Sequence, residues 1–119
     1  MPQNPSIVAS KTTSGIVNIF NTSLYPAIPT SNEVFKTMTL SGHTDEGYGL
    51  AWSKLETGLL ASGSDDCRIC CWNIEQKPSD NSSLPPLIEY HDRNCIIEVF
   101  FPIDSFIDRM LLGILIIIL

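Results

Sequence analysis

Residues 59–73 read LLASGSDDCRICCWN, and residues 7–21 read IVASKTTSGIVNIFN. The two stretches align without a gap at a spacing of 52 residues. Ala9-Ser10 falls on Ala61-Ser62, Val17 on Ile69, and Phe20-Asn21 on Trp72-Asn73. Each copy runs from an apolar pair through Ala-Ser and a polar turn to a second apolar arm that ends in an aromatic residue and Asn. The arms are rich in Ile, Val and Leu, and the connection is built from Ser, Thr, Gly and Asp, so each copy is expected to form a β-hairpin. Near-continuous apolar arms imply strands covered on both faces. A short hairpin repeated at this interval cannot bury both faces by itself, so the repeat predicts stacked neighbours.

Working outward, Leu40-Ser41-Gly42-His43 lies between the copies and is followed by Glu46-Gly47-Tyr48-Gly49-Leu50-Ala51-Trp52. Gly42-His43 opens a turn, and Leu50 and Trp52 share a strand face. After the second copy come Tyr90-His91 and then Cys95-Ile96-Ile97-Glu98-Val99-Phe100-Phe101, a weaker echo of the same element. The stretches 22–34 and 76–86 are polar and interrupted by proline, as surface loops are.

The order Gly-His, Leu-Ala-Ser-Gly-Ser-Asp-Asp and Trp-Asn over residues 42–73 resembles the WD repeat. Asn73 stands where the family usually has Asp, and Arg68 where Thr is common. The resemblance implies an all-β fold, a partial WD-repeat β-propeller with about one and a half to two blades of the seven expected. The expected division is 1–21 as the second half of a blade, 22–34 as a loop and 35–75 as one complete blade. A loop at 76–86, the start of the next blade at 87–101 and a divergent apolar tail at 102–119 follow. The outer strand would include Phe35–Leu40, and the inner strands would lie near 47–53, 58–63 and 68–74. The family's internal hydrogen-bond network falls on His43, Ser62, Asp66 and Trp72. An imidazole, a hydroxyl, a carboxylate and an indole N–H can satisfy one another as a buried chain. A catalytic base or a metal ligand is the alternative for His43.

The N-terminal Met1-Pro2-Gln3-Asn4-Pro5, then Ile7-Val8-Ala9-Ser10-Lys11-Thr12, and above all Glu46-Gly47-Tyr48-Gly49-Leu50-Ala51-Trp52, resemble the retinoblastoma-binding family of histone-binding WD proteins. Ser64-Asp65-Asp66 with Ile69-Cys70 ahead of Trp72 belongs to the same likeness. It implies a non-catalytic scaffold of chromatin assembly and modifying complexes, acting in the nucleus, with the cytoplasm as a second compartment. The partners implied are core histones or basic histone-tail-like peptides and other subunits of those complexes. The peptide-binding residues would be Glu46, Tyr48 and Asp45, at the rim of the central channel. Glu46 would pair with Arg or Lys, and Tyr48 would lay its ring against the peptide stem or a cation. Alternatively Glu46 is a solvated loop charge and Tyr48 a packing residue. The family's other histone site uses an N-terminal helix and a late acidic loop that this sequence does not contain.

Charge points the same way. Thirteen acidic residues against seven basic ones give a net charge of −6. That disfavours direct binding to nucleic acid, which needs clustered Lys and Arg, and it suits a basic protein partner. No nucleophile elbow, phosphate loop or His-Glu-x-x-His motif is present, so no enzyme activity and no cofactor are expected.

Without a basic and apolar leader, the four cysteines are expected to be reduced thiols. Cys67 and Cys70 with His91 and Cys95 have tolerable zinc spacing. An odd step along a strand would point Cys67 and Cys70 to opposite faces, so no metal site is expected. Residues 1–21 begin inside a blade, and Met1 reads as an internal methionine of a longer protein. Open blades leave strand edges unpaired. The tail from Met110 to Leu119 is apolar over ten residues, about half of a bilayer span. Arg109, Asp108 and Asp104 precede it, so a membrane role is not expected. The second functional reading is a truncated product, non-functional or tethered to a membrane by this tail.

Overall fold

A computed structural model describes residues 1–28, 31–32, 36–76 and 83–91, with the backbone alone at positions 90 and 91. It is all-β apart from one short 3-10 turn at Thr22–Leu24, which Asn21 caps by accepting the Ser23 amide. The strands are β1 (Ile7–Lys11), β2 (Val17–Asn21), β3 (Lys36–Leu40), β4 (Gly49–Trp52), β5 (Leu59–Gly63), β6 (Arg68–Asn73) and β7 (Ile88–His91).

The repeated segments form matching antiparallel hairpins. In the first, Ile7 faces Asn21, Val8 faces Phe20, and Lys11 faces Val17. In the second, Leu59 faces Asn73, Leu60 faces Trp72, and Gly63 faces Ile69. Every pair of the first recurs 52 positions later. The turns repeat as well. The Thr12 amide donates to the Ile16 carbonyl and the Gly15 amide to the Thr12 carbonyl. In the second copy Ser64, Arg68 and Cys67 make the equivalent bonds. Both turns need a left-handed residue, supplied by Gly15 at φ +82° and by Cys67 at φ 67°. A non-glycine residue rarely adopts that conformation. Cys67 therefore sits in the turn before β6, not within the strand where the sequence had suggested it.

β1, β2 and β3 make one sheet, in that order, and β4, β5, β6 and β7 make the other. The sheets thus divide the chain differently from the sequence repeat. β3 pairs with β2, and β7 completes the second sheet by pairing with β6 instead of opening a further one. The expected unit 35–75 accordingly draws its first strand from one sheet and the other three from the next. The edge strand β3 of one sheet is followed in sequence by the edge strand β4 of the other, so sequence repeat and sheet are offset by one strand.

The sheets pack against each other through one apolar cluster. Val17, Ile19 and Leu40 from the first sheet meet Leu60, Cys70 and Trp72 from the second, with Leu84 beside them. Leu84 is locked in place by its amide, which donates to the Thr39 carbonyl, and by the Ser41 amide, which donates to its own carbonyl. Cys70 and Cys71 are free and buried, and burial pushes both thiols up to about 12, so neither is a nucleophile near neutral pH. Cys67 is disulfide-bonded, contrary to the expectation of reduced thiols throughout.

The first hairpin's turn presses on the segment after Gly42-His43. A Cβ at Gly15 would lie 2.6 Å from the Asp45 carbonyl oxygen and 3.1 Å from the His43 Cβ. Gly15→Ala therefore combines a strained φ with a backbone clash. It is expected to cost about 1–3 kcal/mol, read as a lowered urea midpoint at unchanged slope.

Candidate functional site

At the end of the sheets where both hairpins turn, three segments converge: 12–16, 43–48 and 64–67. Asp66 is the hub. Its side chain is 4% exposed and its carboxylate accepts the His43 Nδ1 at 3.1 and 3.2 Å, the Thr44 amide at 2.8 Å and the Arg68 amide at 2.9 Å. Burial pushes the Asp66 carboxyl up, but the two amides and His43 outweigh it and hold the group below its ordinary range. For His43 the net direction is also downward, first through burial and then through the Lys11 cation, against the opposing pull of Asp66. A neutral imidazole donating Nδ1–H to an ionised Asp66 fits both directions.

The His43 ring meets the Trp72 indole edge-on, with centroids 5.8 Å apart at 72°. The four residues expected to form one hydrogen-bonded chain are therefore only partly linked. The Trp72 N–H donates to the Ser41 carbonyl at 2.9 Å and not to a side chain of the set. The Ser62 hydroxyl and the His43 Nε2 have no hydrogen-bond partner among the described residues. The indole N–H is thus taken by a backbone carbonyl, and the Ser62 hydroxyl stays outside the chain.

Stability should follow the protonation of His43. Its folded pKa is depressed from 6.5, so its contribution is fully present above that value and is lost as pH falls below it. The thermal midpoint is expected to fall between pH 7.5 and 5.5, and to fall less in His43→Gln.

Asp45, Glu46 and Tyr48 occupy the loop just above this hub. Asp45 and Glu46 are exposed, and Tyr48 is 97% exposed. Neither acid makes an ion pair within the described residues, although the Asp45 carboxylate accepts the Glu46 amide at 2.8 Å. The loop backbone, by contrast, is firmly held. The Ser64 hydroxyl lies 2.7 Å from the carbonyl oxygens of both Asp45 and Glu46, and the Asp65 amide donates to the Glu46 carbonyl at 2.8 Å. Lys11, half-buried between the sheets, donates to the Gly63 carbonyl at 2.6 Å. Burial lowers its pKa, against the pull of Asp66, Cys70 and Asp65.

The loop thus presents two carboxylates and an aromatic ring to solvent on a rigid seat, which suits a cationic, partly apolar ligand. Ser64, Asp65 and Lys11 lie within the family likeness but are not among the site residues expected from the sequence. Their signal is the Ser-Asp-Asp turn itself, but spacing alone does not show that it faces the loop. Among the described residues no group of His, Cys, Asp and Glu side chains is arranged to hold a metal ion. No helix among the described residues is long and apolar enough to cross a membrane. The apolar tail and the segment from 92 onward lie outside the described residues, as do the parts of 77–82 in the second loop.

No protein-family model matches the chain. It is 40% identical over 98 residues to WD-40 repeat-containing protein MSI3 of Arabidopsis thaliana. It is 38% identical over 97 residues to histone acetyltransferase type B subunit 2 of Aspergillus fumigatus. Each alignment covers 82% of this chain but only 23% and 22%, respectively, of the relative, so the chain spans less than a quarter of their length. With the doubled hairpin, the two antiparallel sheets and this similarity over most of its length, the chain is homologous to a part of these WD-40 repeat proteins.

Proposed function

We propose that the chain is part of a non-catalytic scaffold that binds basic peptides, histone tails foremost, through Glu46 and Tyr48, with Asp45 adding to the local field. The observation that carries this reading is the nearly complete exposure of Tyr48 next to an exposed Glu46, which makes no ion pair among the described residues, on a loop whose backbone is fixed from below. A large aromatic ring left in water on a rigid segment is characteristic of a contact surface. A related protein named as a histone acetyltransferase subunit supports histones and other complex subunits as partners, and a nuclear location. The net charge of −6 favours encounter with such partners and gives no footing for direct duplex binding.

A pulldown with a core-histone tail peptide tests the assignment. Glu46→Lys reverses the charge opposite the peptide's Arg or Lys and is expected to weaken capture roughly tenfold or more. Capture equal to that of the unaltered chain would remove Glu46 from the site.

A further inference from the structure

We infer that Ser64 is the positioning residue of this peptide site, which rests on the reading of Glu46 and Tyr48 given above. Ser64 is 2% exposed, and its hydroxyl stands 2.7 Å from the Asp45 and Glu46 carbonyl oxygens. Within its own hairpin that hydroxyl serves only as the 3.4 Å acceptor of the Asp66 amide. The turn is closed by the Ser64 amide on the Arg68 carbonyl at 3.2 Å and by the Cys67 amide on the Ser64 carbonyl at 3.1 Å. The same two backbone bonds close the first hairpin.

Comparison of the two copies isolates the difference. Thr12 occupies the equivalent position in the first hairpin, and its hydroxyl stays within the turn, donating to the Ile16 carbonyl at 3.0 Å. The Ser64 oxygen also meets its own turn, through the Asp66 amide at 3.4 Å, but its single proton points to another segment and is shared between two successive carbonyls. The Asp65 amide holds the second of them at 2.8 Å. Gly47 completes the seat, because a Cβ there would lie 2.6 Å from the Ser64 Cα and 2.8 Å from the Gly63 carbonyl oxygen. The chain therefore passes flat against the hairpin between Glu46 and Tyr48.

The consequence is pre-organisation. With the backbone of 45–47 pinned, the carboxylate of Glu46 and the ring of Tyr48 are presented together and little ordering is left for the moment of binding. Ser64 never touches the ligand. Its hydroxyl sets the discrimination between a cationic peptide and a neutral one by fixing where the acid stands.

The test uses the full chain and two fluorescent probes: a synthetic core-histone tail peptide, and the same peptide with every Arg and Lys replaced by Gln. Ser64→Thr keeps the hydroxyl and Ser64→Val removes it at nearly the same size, so the pair reads the hydroxyl alone. Ser64→Thr is expected to bind the cationic peptide as the unaltered chain does. Ser64→Val is expected to bind it roughly tenfold more weakly, as loss of one well-placed hydrogen bond allows, and to lose most of its preference over the neutral probe. Amide exchange should accelerate at Asp65 in Ser64→Val while the amides of β5 and β6 stay protected. Equal affinity and equal preference in the Thr and Val variants, with Glu46→Lys still abolishing binding, would overturn the role of Ser64 and leave the peptide site standing. An unaltered chain that does not prefer the cationic probe would instead remove the peptide site, and the role of Ser64 with it.

Discussion

Trp72→Ala is expected to cost about 3–5 kcal/mol, a loss comparable to the whole stability of many small domains. Trp72 is 1% exposed and sits in the cluster that joins the two sheets. It lies directly across from Leu60 and against the edge of His43. Truncation to alanine opens a cavity between the sheets and leaves the Ser41 carbonyl without its indole donor. Trp72→Phe retains most of the apolar area and loses the N–H, so its cost should be nearer 1–2 kcal/mol. Urea unfolding followed by far-ultraviolet circular dichroism separates the two. Equal midpoints for the alanine variant and the unaltered chain would mean that Trp72 is not the joint between the sheets.

The second large effect belongs to Asp66→Ala. The substitution strips a partner from the His43 imidazole and from two backbone amides, Thr44 and Arg68, at a side chain that is 4% exposed. Removing the acceptor of several donors near a protein interior is expected to cost about 2–4 kcal/mol. It also releases Thr44, the residue that leads into Asp45 and Glu46, so peptide capture should fall in the same variant. The pH dependence carries its own signature. Asp66 has a folded pKa below 3.8, so its contribution is present above that value and disappears as pH falls through the lower folded value. Below pH 4 the difference in midpoint between Asp66→Ala and the unaltered chain should shrink.

The parts of this architecture visible in the sequence are those encoded locally. Hairpins depend on alternating apolar arms and turn residues a few positions apart, and the two copies state the same register twice. Even the strained Cys67 is traceable, because the 52-residue alignment sets it on Gly15. Pairing of the outer strands is a different matter. Nothing in Lys36–Leu40 tells which neighbouring strand it joins, since both candidates are apolar and similar in length. That choice is made by Leu40 entering the shared cluster and pairing opposite Val17.

The site divides along the same line. Glu46 and Tyr48 stand out as an acid and an aromatic residue within a Gly-rich string, and His43 with Asp66 meets across 23 residues as the repeat pattern implies. The hydroxyl that supports the loop lies beyond such reading. Ser62 and Ser64 are two apart in the same strand and turn, and only tertiary geometry decides that the Ser64 hydroxyl reaches the loop while the Ser62 hydroxyl has no partner among the described residues. The acceptor of the Trp72 N–H is similarly hidden, because every residue offers a backbone carbonyl and the sequence does not rank them.

Backbone nuclear Overhauser contacts across the strands test the two-sheet arrangement most directly. Cross-strand contacts are expected between Val8 and Phe20 and, in the same register, between Leu60 and Trp72, with Val17 facing Leu40. Helical sequential contacts through 59–73, or β3 paired to β4 in place of β2, would contradict it.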